Sequence, residues 1–209
     1  MYTIMKKTWA LIISCCLIFG FFLCNCSDKK TVFIVGDSLL LGYKIEEKES
    51  ALSIIKNKLH NCVHYCEIGL TISAFAAILD RYDIDSISCV IIELGANDFL
   101  LGRDSAKTCE SFLSTINYFK KKGIPVCIIS FIDKTMFQYK DLGNVKLLED
   151  YDKMYESLLE QSISLITNIW EGNFSNMDYK VDDFHPNAEG AKVIARHILR
   201  EIKKMGFLR

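Results

Sequence analysis

Ser38 lies in VFIVGDSLLLGY (32–43), where an apolar run breaks at Gly36-Asp37-Ser38 and then resumes, and a second polar cluster, DDFHPN (182–187), carries Asp182 and His185. A serine hydroxyl attacks a carbonyl at neutral pH only if a base removes its proton, and the base needs an acceptor that fixes its tautomer. Ser38, His185 and Asp182 are residue types that can fill those parts. Asp182 stands three residues before His185, a spacing that lets a carboxylate fold back on a turn to accept from Nδ1–H and leave Nε2 for the serine. Asp183, next to it, is expected at the surface or bonded to backbone. The oxyanion formed in such an attack needs preorganised donors, and Ser38 N–H at a helix start, Gly69 N–H and the Asn97 side-chain amide are candidates. Judged alone, Gly-Asp-Ser also suits a plain turn, because Ser and Asp are common helix N-caps.

These groups form a site only if the fold gathers them. Apolar strand candidates run over Thr31–Val35, Cys62–Glu67, Ile87–Leu94, Ile124–Ser130 and, more weakly, Ile163–Trp170. Between and after them lie helix candidates near Ala51–Leu59, Ser73–Leu79, Lys107–Lys121, Lys146–Leu159 and Ala188–Lys204. Alternation of this kind, with near-continuous apolar strands such as CVIIEL and PVCIIS, predicts a flavodoxin-like three-layer α/β/α sandwich around a mostly parallel, five-stranded sheet. Sites in such sheets gather beyond the carboxyl ends of the strands. Gly36-Asp37-Ser38, Gly69 and Gly95-Ala96-Asn97-Asp98 each follow one of the first three strands, so all three reach one edge. The Asp182–His185 loop, just before the last helix, can fold over that edge. Asp37 and Asp98 are expected to tie down the loops through backbone N–H groups, and His197, off the apolar stripe of the last helix, to face water.

Half of the 209 residues are hydrophobic and the formal net charge is −1, which argues against disorder and gives no electrostatic case for nucleic acid. Met5-Lys6-Lys7 followed by the apolar run Trp9–Leu23 reads as a signal peptide over 1–25, too short for a typical membrane span. The run ends in Leu23-Cys24-Asn25-Cys26, which resembles a bacterial lipobox and makes Cys26 the candidate for lipidation, followed by a short tether over 26–30. Export and anchoring in a bacterial membrane, facing periplasm or cell surface, follow as expectations. Cys15, Cys16 and Cys24 fall in the signal segment and Cys26 directly follows it, Cys89 and Cys127 lie in apolar strands, and Cys62 and Cys66 on one strand sit roughly 13 Å apart, too far to bridge each other. No Cys/His spacing suits a metal, so no metal is expected. A monomer is expected.

The blocks GDSL (36–39), Gly69 in EIGLTIS, GAND (95–98) and DDFHPN resemble the four blocks of the SGNH, or GDSL, hydrolases, and the phrasing GDSLLLGY, ELGANDFLLG and HPNAEG is most similar to the thioesterase I, arylesterase and lysophospholipase subgroup. The resemblance covers about Val32 to Ile202 and makes 31–209 the hydrolase domain. It implies Ser38 as nucleophile, His185 as general base and then acid, Asp182 as its orienting carboxylate, Ser38 N–H, Gly69 N–H and Asn97 as oxyanion hole, and hydrolysis of esters or thioesters without a cofactor. The segment ESALSII lacks the Trp-Pro often found there, and Ala96 stands where glycine is frequent.

A small-molecule or lipid acyl ester is the expected partner. The long loop Phe131–Gly143 presents Phe131, Met136 and Phe137 as candidates for an acyl-binding groove. Two alternatives stand beside the esterase reading: a carbohydrate O-acetylesterase acting on envelope glycans, and a non-catalytic lipoprotein that retains the fold.

Overall fold

The computed structural model describes residues 30–59, 61–138, 145–159, 164–166 and 169–206; the expectations for the N-terminal apolar run and for Cys26 lie outside the described residues. Five parallel strands form the sheet: β1 (Thr31–Gly36), β2 (Cys62–Cys66), β3 (Ile87–Glu93), β4 (Val126–Ile129) and β5 (Ser164–Ile166), in the order β2-β1-β3-β4-β5. The expectation of a three-layer α/β/α sandwich around a parallel five-stranded sheet holds. Val32 to Val35 in β1 and Val90 to Ile92 in β3 are buried on both faces, as continuous apolar runs require.

The helices are α1 (Ser38–Leu41), α2 (Ala51–Lys56), α3 (Ile72–Ala76), α4 (Ala96–Leu100), α5 (Ser105–Lys121), α6 (Val145–Leu159) and α7 (Ala188–Lys204). Helix α2 packs on α7, while α5 packs on α3 and α6, so two helical groups cover the sheet. Phe33 of β1 points toward the second group, where its ring meets Phe75 of α3 and Phe119 of α5.

Several boundaries differ from expectation for local reasons. β4 starts at Val126 because Pro125 has no N–H to give a ladder; its carbonyl still accepts Val90 N–H at 3.0 Å. β5 is described over Ser164–Ile166; of the strand expected over Ile163–Trp170, residues 163, 167 and 168 lie outside the described residues, and Trp170 is fully buried in a turn. That turn also corrects the reading of His197. Glu171 reaches across α7 to His197 Nδ1 at 3.0 Å and to Arg200 at 2.6 Å, so the imidazole is covered instead of solvated.

Beneath the carboxyl edge of β3 and β4 lies a wedge of aromatic side chains. Phe131 touches Phe99, Tyr151, Tyr155 and Phe184 with ring centroids 5.6–6.2 Å apart. Phe184 also meets Phe174 at 5.7 Å, and this contact carries the packing from the sheet to the loop before α7.

Candidate active site

At the end of β1 the chain turns sharply into α1, and the turn is built by Asp37. Its carboxylate accepts Leu39 N–H at 2.9 Å as the N-cap of α1 and accepts the Asn97 amide at 2.7 Å. Ser38 is the first helical residue, with its backbone N–H at the open end of the helix. The aspartate expected to serve as a structural tie does so, and it also reaches a second loop.

The loop between the Met177–Tyr179 turn and α7 presents the histidine. Val181 N–H donates to His185 O at 3.0 Å, Asn187 N–H donates to Tyr179 O at 2.9 Å, and Lys180 bridges Pro186, so residues 179–187 close into a narrow hairpin-like loop. Asn187 caps α7 by accepting Glu189 and Gly190 N–H, and its amide donates to Asp178 O at 2.8 Å. Gly190 is required there, because any Cβ at that position would collide with the Tyr179 carbonyl. Phe184 anchors the loop in the aromatic wedge.

The geometry brings Ser38, His185 and Asp182 into one chain of hydrogen bonds. Ser38 Oγ lies 3.1 Å from His185 Nε2, and His185 Nδ1 lies 3.0 Å from Asp182 Oδ1 and 3.1 Å from Oδ2. Asp182 Oδ1 also accepts Phe184 N–H at 3.0 Å and His185 N–H at 2.8 Å. Partial burial raises its proton affinity, but the two N–H groups and the imidazole outweigh that effect and hold the carboxyl down at about 2. Asp183 is exposed, and its carbonyl, not its carboxylate, takes the Lys180 ammonium at 3.0 Å.

The candidate oxyanion donors come from three loops. Glu67 N–H donates to Gly36 O at 3.2 Å, which sets the loop after β2 beside the serine turn. Gly69 in that loop has φ +80°, a left-handed conformation that glycine adopts without strain. Among the described residues the backbone N–H groups of Ser38 and Gly69 have no hydrogen-bond partner. The Asn97 amide donates to Asp37 and, at 3.1 Å, to Leu70 O; an oxyanion beside Ser38 would compete for this second, longer bond. Asp98 accepts Ile72 N–H at 3.0 Å and pairs with Arg103 at 3.4 Å, and Arg103 also donates to Ser73. These bonds latch the Gly69 loop to α4.

The expected acyl groove is corrected. Phe131 and Met136 are 0% and 1% exposed and belong to the core, and Phe137 is partly buried against it. The cause is Asp133, itself buried, whose carboxylate accepts Thr135 N–H at 2.8 Å and Gly172 N–H at 2.7 Å and folds the loop inward as a short turn over Lys134–Gln138. Nothing in the motif pattern marked Asp133, Arg103 or Tyr43. The Tyr43 ring lies 4.6 Å from the His185 ring and forms one wall of the site, and Lys44 beside it reaches Asp182 at 3.5 Å. Tyr43 does stand within GDSLLLGY, so its nearness in sequence to Ser38 was the one available signal. Among the described residues no group of three or more His, Cys, Asp or Glu is placed to hold a metal ion.

Comparison with solved structures places this geometry in a known fold. The chain superposes on the crystal structure of TesA with a TM-score of 0.74 at 19% identity, covering 84% of this chain and 99% of that one. It matches the psychrotrophic esterase EstA from Pseudoalteromonas sp., solved with monoethylphosphonate as inhibitor, at a TM-score of 0.66 and 20% identity over 84% of this chain and 98% of that one. The SGNH-hydrolase family esterase AlinE4 gives a TM-score of 0.60 at 21% identity over 84% of this chain and 96% of that one. At these identities the likeness is one of fold. No protein-family model and no curated protein matches the sequence.

The bonding pattern separates the two neighbouring aspartates. Asp182→Asn should lower the rate of acylation by p-nitrophenyl acetate by about 10- to 1,000-fold, since an amide no longer fixes the imidazole tautomer. Asp183→Asn should stay within about 3-fold of wild type. Stopped-flow measurement of the first turnover checks both, and the reverse order of effects would remove Asp182 from its place beside His185.

Proposed function

We propose that the chain is a serine ester hydrolase that cleaves acyl esters or thioesters through an acyl-serine intermediate. The observation that carries this reading is the continuous relay from Ser38 Oγ through His185 to Asp182, with hydrogen-bond distances of 3.1 and 3.0 Å. In this reading Ser38 Oγ attacks the carbonyl carbon as His185 Nε2 takes its proton, and the oxyanion is met by Ser38 N–H, Gly69 N–H and the Asn97 amide. His185 then gives the proton to the departing alcohol or thiol. Water repeats the sequence in reverse and frees the acid. The fold shared with structures described as esterases supports the same reading.

The substrate class is read from what borders the donors. Ile68, next to Gly69, and Leu100 and Leu101, shortly after Asn97, are 61%, 53% and 65% exposed, although large aliphatic side chains are usually covered. An apolar acyl chain lying along that side of the site would cover them. Short- to medium-chain acyl esters and lysophospholipids fit this description.

The purified protein should hydrolyse p-nitrophenyl esters of graded chain length, with kcat/KM rising from acetyl toward medium chains. Ser38→Ala should abolish turnover, and Asn97→Ala should lower kcat by roughly 100- to 1,000-fold, as loss of one oxyanion donor does. A preference for acetylated glycan over every acyl chain would favour the O-acetylesterase reading. A folded protein inert toward all of these substrates would leave a non-catalytic binding module.

The N-terminal sequence supports a place at the bacterial envelope, with the thiol of Cys26 carrying the lipid. Cys26→Ser should abolish incorporation of a fatty-acid analogue in cells, since only a thiol forms the thioether. Continued incorporation and membrane retention would reject the assignment.

A further inference from the structure

Glu93, the last residue of β3, is a buried acid that the proposed chemistry does not use. It pairs in register with Gly36, so its side chain lies beneath the turn that carries Asp37 and Ser38. Glu93 and Asp37 are both 0% exposed, and each carboxyl shifts the titration of the other. Two acids held together out of water cannot both carry a charge without a large penalty.

The bonding pattern decides which of them is ionised. The Asp37 carboxylate accepts two well-formed bonds, from Leu39 N–H at 2.9 Å and from the Asn97 amide at 2.7 Å. Glu93 accepts one long bond, from Asp37 N–H to Oε2 at 3.3 Å, and among the described residues its buried Oε1 accepts no hydrogen bond. A charge on Glu93 would be almost unsolvated. A charge on Asp37 is met by two donors.

We infer that Glu93 is a positioning residue: a neutral carboxyl that keeps the pair's one proton and so leaves Asp37 the anionic acceptor for the nucleophile's turn and for Asn97. Its action on the site passes through Asp37, and it touches no reacting atom. Burial raises Glu93 well above the ordinary carboxylate range, and the nearby charge on Asp37 adds to the effect. Burial also raises Asp37, to about 7, against the pull of Leu39 N–H, Glu93 and Asn97. The titratable groups that face the pair are Cys66 from β2, Tyr155 from α6 and Asp98 from α4. None of these is a cation. Burial keeps the Cys66 thiol and the Tyr155 phenol protonated, and Tyr155 donates its hydroxyl to Leu94 O at 2.8 Å.

The sign of the pH effect follows from this arrangement. Asp37 serves as an acceptor only when ionised, so activity that depends on it is lost as pH falls through its titration. Removing the neutral donor beside it raises that titration further and moves the loss to higher pH. Only the kinetic arm of the test rests on the esterase reading; the spectroscopic arm reads the resting protein.

In an infrared difference spectrum of wild type minus Glu93→Gln at pH 8, a protonated-carboxyl C=O band should appear with wild-type sign. Carboxylate bands in its place would overturn the inference whether or not the protein hydrolyses esters. In kinetics, Glu93→Leu should lower kcat by at least about 10-fold and move the acid limb of kcat/KM up by about one pH unit, with KM little changed. Glu93→Gln, which still offers a neutral donor of the same shape, should restore the limb to its wild-type position and kcat to within about 3-fold. A Glu93→Leu protein that folds and keeps the wild-type profile would overturn the inference, as would a Gln variant no better than Leu. If Glu93→Leu does not fold, the infrared comparison and the Gln variant still decide. A wild type that shows the band but hydrolyses no ester would leave the buried proton in place and remove the esterase reading alone.

Discussion

Asp37 carries its carboxyl group out of water at the end of β1, and its two oxygens hold the start of the nucleophile's helix and the Asn97 amide of α4, which follows the neighbouring strand β3. Three parallel strands deliver three loops to one edge, but parallel pairing alone leaves the loops free to adjust. The buried bonds of Asp37, supported by Asp98 to Ile72 N–H, remove that freedom on the side of the oxyanion donors. A buried carboxylate is costly unless paired, so the same bonds that hold the site also make the fold sensitive to any change in them.

The histidine side is held differently. Its loop rests on aromatic packing through Phe184, on the bonds that Asp182 accepts, and on the cap of α7 by Asn187, which contributes on the order of 1 kcal/mol, so packing joins hydrogen bonds in placing the imidazole, whereas the serine turn is held mainly by hydrogen bonds. Asp133 links the two halves from beneath, fixing the loop after β4 and accepting the Gly172 N–H of the segment that leads toward His185. Phe131 and Met136 are drawn inward by that link, and they act on the site as support without lining it.

Much of this was legible from residue order. Apolar runs separated by amphipathic stretches predict the parallel sheet, and turn residues at the run ends mark the edge where Ser38, Gly69, Asn97 and His185 meet. Other features were hidden because they depend on contacts between distant segments. His197 looks solvent-facing from the periodicity of its own helix, and only the Glu171 turn, 26 positions earlier, covers it. Phe131 and Met136 look like a groove because they follow a strand end, and no local pattern reveals that Asp133 folds their loop down. Glu93 reads as one polar residue closing an apolar strand. Its meaning appears when its register with Gly36 sets it under the serine turn.

The central claim is that Ser38 is an activated nucleophile and the other groups are arranged around it. Peptide mapping by mass spectrometry, after brief exposure of the wild-type protein to an alkyl phosphonate ester with a good leaving group, tests this most directly. The account predicts a single covalent phosphonyl adduct on Ser38, formed at one per chain and absent when the protein is unfolded before exposure. A folded protein that forms no adduct, or forms it on another residue, would contradict the account.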